Sequence, residues 1–167
     1  MEWFLNSPAL RMFGIAYVIL VLKMVAVGAY TSMLRIRTGV YATSEDFAFT
    51  GSPAAPRRED IERARRAHRN DLENILPFFG VGLLYAFTNP SATAAAIYYF
   101  GFAAARIAHS ITYLAQWQPH RTIAFSIGLA LMLAMTVSTR GFGAPALSRA
   151  VRALFQSRSA FFSSSHR

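Results

Sequence analysis

The sequence predicts an all-α membrane protein folded as a four-helix antiparallel bundle, and three observations carry that expectation. Hydrophobic residues make up 54% of the 167-residue chain and charged residues only 15%, a balance found in membrane proteins rather than in soluble domains. The apolar residues gather in four long stretches separated by short polar turns. The arginines behind the net charge of +9 sit beside those stretches rather than on a solvated face, which argues against nucleic acid as a partner.

The first span is expected over residues 9–34. From Met12 to Leu34 the only charge is Lys23, and at about 1.5 Å of rise per residue such a run covers a hydrocarbon core of about 30 Å. It is too long for a secretory signal and lacks a small-residue cleavage pattern, so it reads as a retained span. After a polar, proline-containing segment, the second span is expected over 60–88. Charges crowd from Arg58 to Glu73 with no glycine or proline, so this helix begins outside the lipid and turns apolar from Leu72 to Phe87. Pro77 is tolerable there if neighbouring helices satisfy the freed backbone groups. Thr88, Asn89 and Pro90 make an uncharged turn into the third span, 92–117, which contains Arg106 and His109. Gln118, Pro119 and His120 turn the chain into the fourth span, 121–139, uncharged from Thr122 to Thr139 and closed by Arg140.

Short connections make successive helices antiparallel and put both termini on one side. Residues 1–143 thus form one membrane domain. In the remaining tail, 144–167, Leu147, Val151, Leu154 and Phe155 recur at helical spacing, as in an amphipathic helix lying on a membrane. Arg35, Arg37, Arg57, Arg58, Arg63, Arg65, Arg66 and Arg69 load the first connection and its helical extension, whereas the second connection has no cation. The positive-inside rule therefore sets the first connection in the cytoplasm, with the polar site near that face of a multi-pass protein.

Chemistry concentrates in residues that share helix faces. Arg66, Arg69, Asn70 and Glu73 are spaced i, i+3, i+4 and i+7, and Arg106, His109 and Tyr113 are spaced i, i+3 and i+7, so each set forms one stripe. The third turn returns Arg121 and Thr122 to the level of Tyr113. Ionisable groups within spans normally face a bundle interior and mark function, and the three arginines and one glutamate of the two stripes suit an anion. Arg57, Arg58, Arg63 and Arg65 are explained as well by snorkelling to headgroups. Lys23, deep in the first span, calls for a counter-charge on the second helix, for which Glu73 is the expected partner. The chain has no cysteine, so any thiol chemistry must come from a ligand, and no metal site is expected.

The run Glu62, Arg63, Ala64, Arg65, Arg66, Ala67, His68, Arg69, Asn70, Asp71, Leu72, Glu73, Asn74, Ile75, Leu76, Pro77, Phe78 resembles the second-helix signature of the membrane-associated proteins in eicosanoid and glutathione metabolism, the MAPEG family. Lys23, Arg35 with Arg37, Glu45 with Asp46, Arg106 with Ala108, His109 and Tyr113, and the turn from Pro119 to Arg121 are further matches, and the likeness runs from about Ala9 to Thr139. It implies a homotrimer with glutathione bound between adjacent subunits. By that resemblance Arg35, Arg66, Arg69, Asn70, Glu73, Arg106, His109, Tyr113 and Ser126 would bind the tripeptide. Arg121 would hold its sulfur as thiolate, aided by Thr122, with Asp46 assisting proton transfer.

The implied activity is glutathione-dependent attack on a lipophilic substrate from the bilayer, as a transferase, a peroxidase or an isomerase of the prostaglandin-synthase type. Either a bacterial inner membrane or the endoplasmic reticulum would suit it. Phe125 stands where the family pattern has a tyrosine and Ser126 where it has a threonine. The turn before Arg121 is one residue shorter than in the prostaglandin-synthesising members, and because that turn borders the lipophilic substrate, substrate identity is left open. A reading of another class is a non-enzymatic carrier or scaffold whose arginine pocket binds an anionic lipid. A hydroxyl beside Arg121 favours the enzyme, since a headgroup site needs no thiol activator.

Overall fold

The structure, a computed structural model, describes residues 6–41, 43, 45, 48–49 and 58–139. Asp46, Arg57, Arg140 and the whole tail 144–167 lie outside the described residues. The described residues form four α-helices and no strand: α1 Pro8–Thr38, α2 Glu59–Phe87, α3 Ala92–Leu114 and α4 His120–Ser138. Two of them, α1 and α4, are long and apolar enough to cross a membrane by length and composition.

Local chemistry sets where the helices begin and end. Ser7 caps α1, its hydroxyl accepting from the Leu10 amide at 3.1 Å, and Pro8 stands in the first turn, where a missing N–H costs nothing. Gly39, at φ 66°, closes the helix in the left-handed region that glycine enters freely. Ser91 caps α3 in the same way through the Ala94 amide at 3.3 Å. Asn89, at φ 53°, reverses the chain between α2 and α3; asparagine tolerates that conformation better than most residues. The third helix ends at Leu114 rather than at the expected 117, and Gln116 takes a left-handed φ of 63° in the turn. Helix α2 runs unbroken through Pro77.

Helix α1 packs against α2 and α3, and α4 packs against α3 and α2. The core divides into two parts along its length. One is aromatic: Phe78 stacks on Phe102 with centroids 4.0 Å apart and planes within 2°, and Tyr99 meets Phe78 edge-on at 6.3 Å and Phe13 at 5.6 Å. The Tyr99 hydroxyl donates to the Gly82 carbonyl at 2.9 Å. A β-carbon at Gly82 would lie 2.8 Å from the Phe13 ring, so glycine there allows α1 and α3 to close on α2. The other part is charged and is described below.

Candidate active site

Inside the bundle, Asp71 of α2 is wholly buried between two cations, Lys23 of α1 and Arg106 of α3. Lys23 pairs directly with Asp71 Oδ1, Arg106 Nη2 donates to the same oxygen at 3.3 Å, and the Ser110 hydroxyl stands 3.5 Å away. The counter-charge of Lys23 is therefore Asp71, a correction to the expected Glu73. The reason is helical register. Ile61, Ala64, Ala67, Asp71, Ile75 and Phe78 form the buried face of α2, whereas Glu73, two residues on, turns outward with Arg66 and Arg69 and is exposed. A buried lysine without that carboxylate would be costly in an apolar interior.

Arg106 also reaches Asn70, donating to its side-chain carbonyl and, at 3.4 Å, to its backbone carbonyl. Arg106 is 1% exposed and His109 3%, so the inner half of the α3 stripe faces the bundle interior. The His109 ring lies 5.6 Å from that of Tyr113 and 5.9 Å from that of Phe125. Phe125, standing where the family pattern has a tyrosine, thus packs on the imidazole without a hydroxyl.

At the outer end of the stripe, Tyr113 is the hinge of a second cluster. The Arg121 guanidinium lies over its ring at 4.9 Å from the centroid, a cation–π arrangement. The Tyr113 hydroxyl also interacts with Arg66 of α2, which pairs in addition with Glu59 at 2.5 Å. Arg121 is gripped from the turn as well. A guanidinium carries donors only, so the Gln118 atom facing it is the amide oxygen; it accepts from Arg121 Nε at 3.0 Å and Nη2 at 2.5 Å, while the Gln118 amide nitrogen donates to Thr122 Oγ1 at 3.1 Å. One amide therefore clasps both residues expected to handle the sulfur.

The structure thus brings together Arg66 and Asn70 from α2, Arg106, His109 and Tyr113 from α3, and Arg121 with Thr122 from α4. Arg69, Glu73 and Ser126 are exposed, and Arg35 is half-buried; among the described residues no hydrogen bond or ion pair joins these four to the clusters. Sequence reasoning missed Asp71 and Gln118. The signal for Asp71 was present, since it continues the small-residue core face of Ala64 and Ala67, but nothing periodic marks a residue in a turn. Alongside, an apolar groove of about 470 Å³ opens between α3 and α4, lined by Gly101, Ala104, Ala108, Ile123 and Ile127 with Thr112 and His120 at one end.

Comparison with known proteins meets this geometry from the other side. Microsomal glutathione S-transferase 1 of Rattus norvegicus is 38% identical over 137 residues, spanning 78% of this chain and 88% of its own. The Sus scrofa protein of the same name is 40% identical over 119 residues, 68% and 77% of the two chains. Prostaglandin E synthase of Homo sapiens is 36% identical over 125 residues, 74% and 82%. Identities this similar do not separate the two activities. The profile of the MAPEG family matches residues 13–141, a stretch that contains every residue of the two polar clusters, and the chain belongs to the MAPEG family.

Proposed function

We propose that this chain is a multi-pass membrane enzyme that binds glutathione and activates its thiol for attack on a lipophilic substrate. The observation that carries this reading is the setting of Arg121, held along one edge by Gln118 and across its face by Tyr113, with the Thr122 hydroxyl beside it. An ordinary thiol has a pKa of about 8.5, and a fixed cation beside it favours the thiolate at neutral pH. Thr122 supplies a hydroxyl that can donate to the same sulfur.

The remaining polar residues suit a zwitterionic tripeptide. Arg66 and Arg69 offer guanidinium forks to its carboxylates. Glu73 forms no ion pair among the described residues and offers a carboxylate to its ammonium. These three side chains face outward on α2, which supports a site closed by a second copy of the chain, as in the homotrimer expected from the resemblance. The groove between α3 and α4 gives a lipophilic substrate an apolar approach from the bilayer. Conjugation, peroxide reduction and endoperoxide isomerisation share the thiolate step, and relatives named as a glutathione S-transferase and as a prostaglandin E synthase support the shared step rather than one outcome.

The test is direct. Detergent-purified protein titrated with glutathione should develop thiolate absorbance at neutral pH, and Arg121→Ala should abolish it while leaving the protein folded. Thiolate absent from the parent protein removes the catalytic reading. A parallel screen of the three reactions, each with and without glutathione, then identifies the one that is catalysed.

A further inference from the structure

Arg106 was expected to touch the tripeptide, yet its guanidinium is turned inward. It is 1% exposed, its Nη2 serves Asp71 Oδ1 and both carbonyls of Asn70, and its Nε is buried without a partner. Asp71, itself wholly buried and tied to Lys23, fixes where that guanidinium can sit. A guanidinium has no acceptor, so the Asn70 atom it meets must be the amide oxygen. The other end of the carboxamide, with its two N–H donors, is then forced to the opposite side. Asn70 stands at the border between the core face of α2 and its outward stripe, four residues after Arg66 and three before Glu73, and is half-buried. Its amide nitrogen has no acceptor among the described residues.

We propose that Arg106, clamped by the buried Asp71, is a positioning residue that locks the Asn70 carboxamide with its N–H donors facing the Arg66–Glu73 stripe, so that Asn70 presents donors to an anionic group of the ligand. The inference rests on the glutathione reading above and assigns Arg106 an indirect role in place of direct contact. An asparagine free to rotate offers its oxygen as often as its nitrogen, and an oxygen facing a carboxylate repels it. Locking the amide removes that wrong orientation before the ligand arrives, which is preorganisation.

A double-mutant cycle separates indirect from direct action. Glutathione binding is measured by titration calorimetry on the full chain in lipid nanodiscs, for the parent, Arg106→Lys, Asn70→Ala and the double variant. Arg106→Lys keeps a cation against Asp71 but gives up the fork. It should weaken binding about tenfold in the parent background. In the Asn70→Ala background the same change should cost less than about twofold, because no carboxamide is left to orient. Asp71→Glu, which displaces the fork without removing charge, should repeat the pattern and serves where Arg106→Lys does not fold. Equal losses in both backgrounds mean that Arg106 meets the ligand itself and overturn this inference alone. Absence of glutathione binding by the parent chain overturns this inference and the glutathione reading together.

Discussion

The aromatic and the charged parts of this core sit in one bundle but resist damage differently. Phe78, Phe102 and Tyr99 are held by contact area and ring geometry, and the alternative to those contacts in a bilayer is lipid, nearly as apolar as the core itself. Lys23, Asp71 and Arg106 are held by charge, and the alternative for a charge stranded in the bundle is no partner at all. In water, burial of the aromatics would dominate; in lipid, the transfer contribution shrinks while the cost of an uncompensated charge grows. The difference teaches that in this chain a single carboxylate should matter more than a large ring.

The largest effect should therefore fall on Asp71. Replacing it with Asn leaves two buried cations facing each other, and loss of one partner from a buried ionic cluster costs about 3–5 kcal/mol. Lys23→Met should be much milder, no more than about 2 kcal/mol, because it removes a cation from a group of net charge +1 and leaves the Asp71–Arg106 pair neutral. Reversible unfolding in mixed detergent micelles measures both. Equal losses for Asp71→Asn and Lys23→Met would mean that net charge does not govern this part of the core.

Phe78→Ala comes next. In soluble proteins such a truncation costs about 3–5 kcal/mol, but with lipid as the reference mainly the cavity and lost contacts remain, so about 2 kcal/mol is expected. A loss above that of Asp71→Asn would reverse the ranking of the two parts. Gly82→Ala should cost about 1–2 kcal/mol by overpacking, since its β-carbon would meet the Phe13 ring at 2.8 Å. Phe13→Leu in the same protein should restore most of that loss by clearing the space, and the same micelle assay reads it.

What the sequence allowed to be read follows from which features are periodic. The two stripes were legible because i, i+3 and i+4 spacing fixes a face, and the structure keeps Arg66 and Asn70, and Arg106, His109 and Tyr113, linked as neighbours across α2 and α3. Lys23 announced the need for an acid, but Asp71 and Glu73 are two residues apart, and only the register of Ala64, Ala67, Ile75 and Phe78 decides which of them faces inward. Spacing also could not tell that Arg106 is spent on Asn70 and Asp71, because direction along a stripe depends on how far apart the helices sit. Gln118 was invisible, since its part depends on the path of a turn.

That turn carries the smallest of the expected effects and the one most specific to the site. Gln118 is exposed and buries no charge, so Gln118→Ala should leave stability within about 0.5 kcal/mol. Its amide holds one edge of Arg121 and donates to Thr122, so its loss should let the guanidinium swing on the face of Tyr113 and, on the proposed function, spend less time beside the glutathione sulfur. The pH midpoint for thiolate formation by bound glutathione should then rise by about half a unit, equivalent to about 0.7 kcal/mol. Gln118→Glu should raise it further, because a carboxylate against Arg121 cancels the charge that favours the thiolate. A midpoint that falls in Gln118→Ala would mean that the amide competes with the sulfur for Arg121 instead of aiming it.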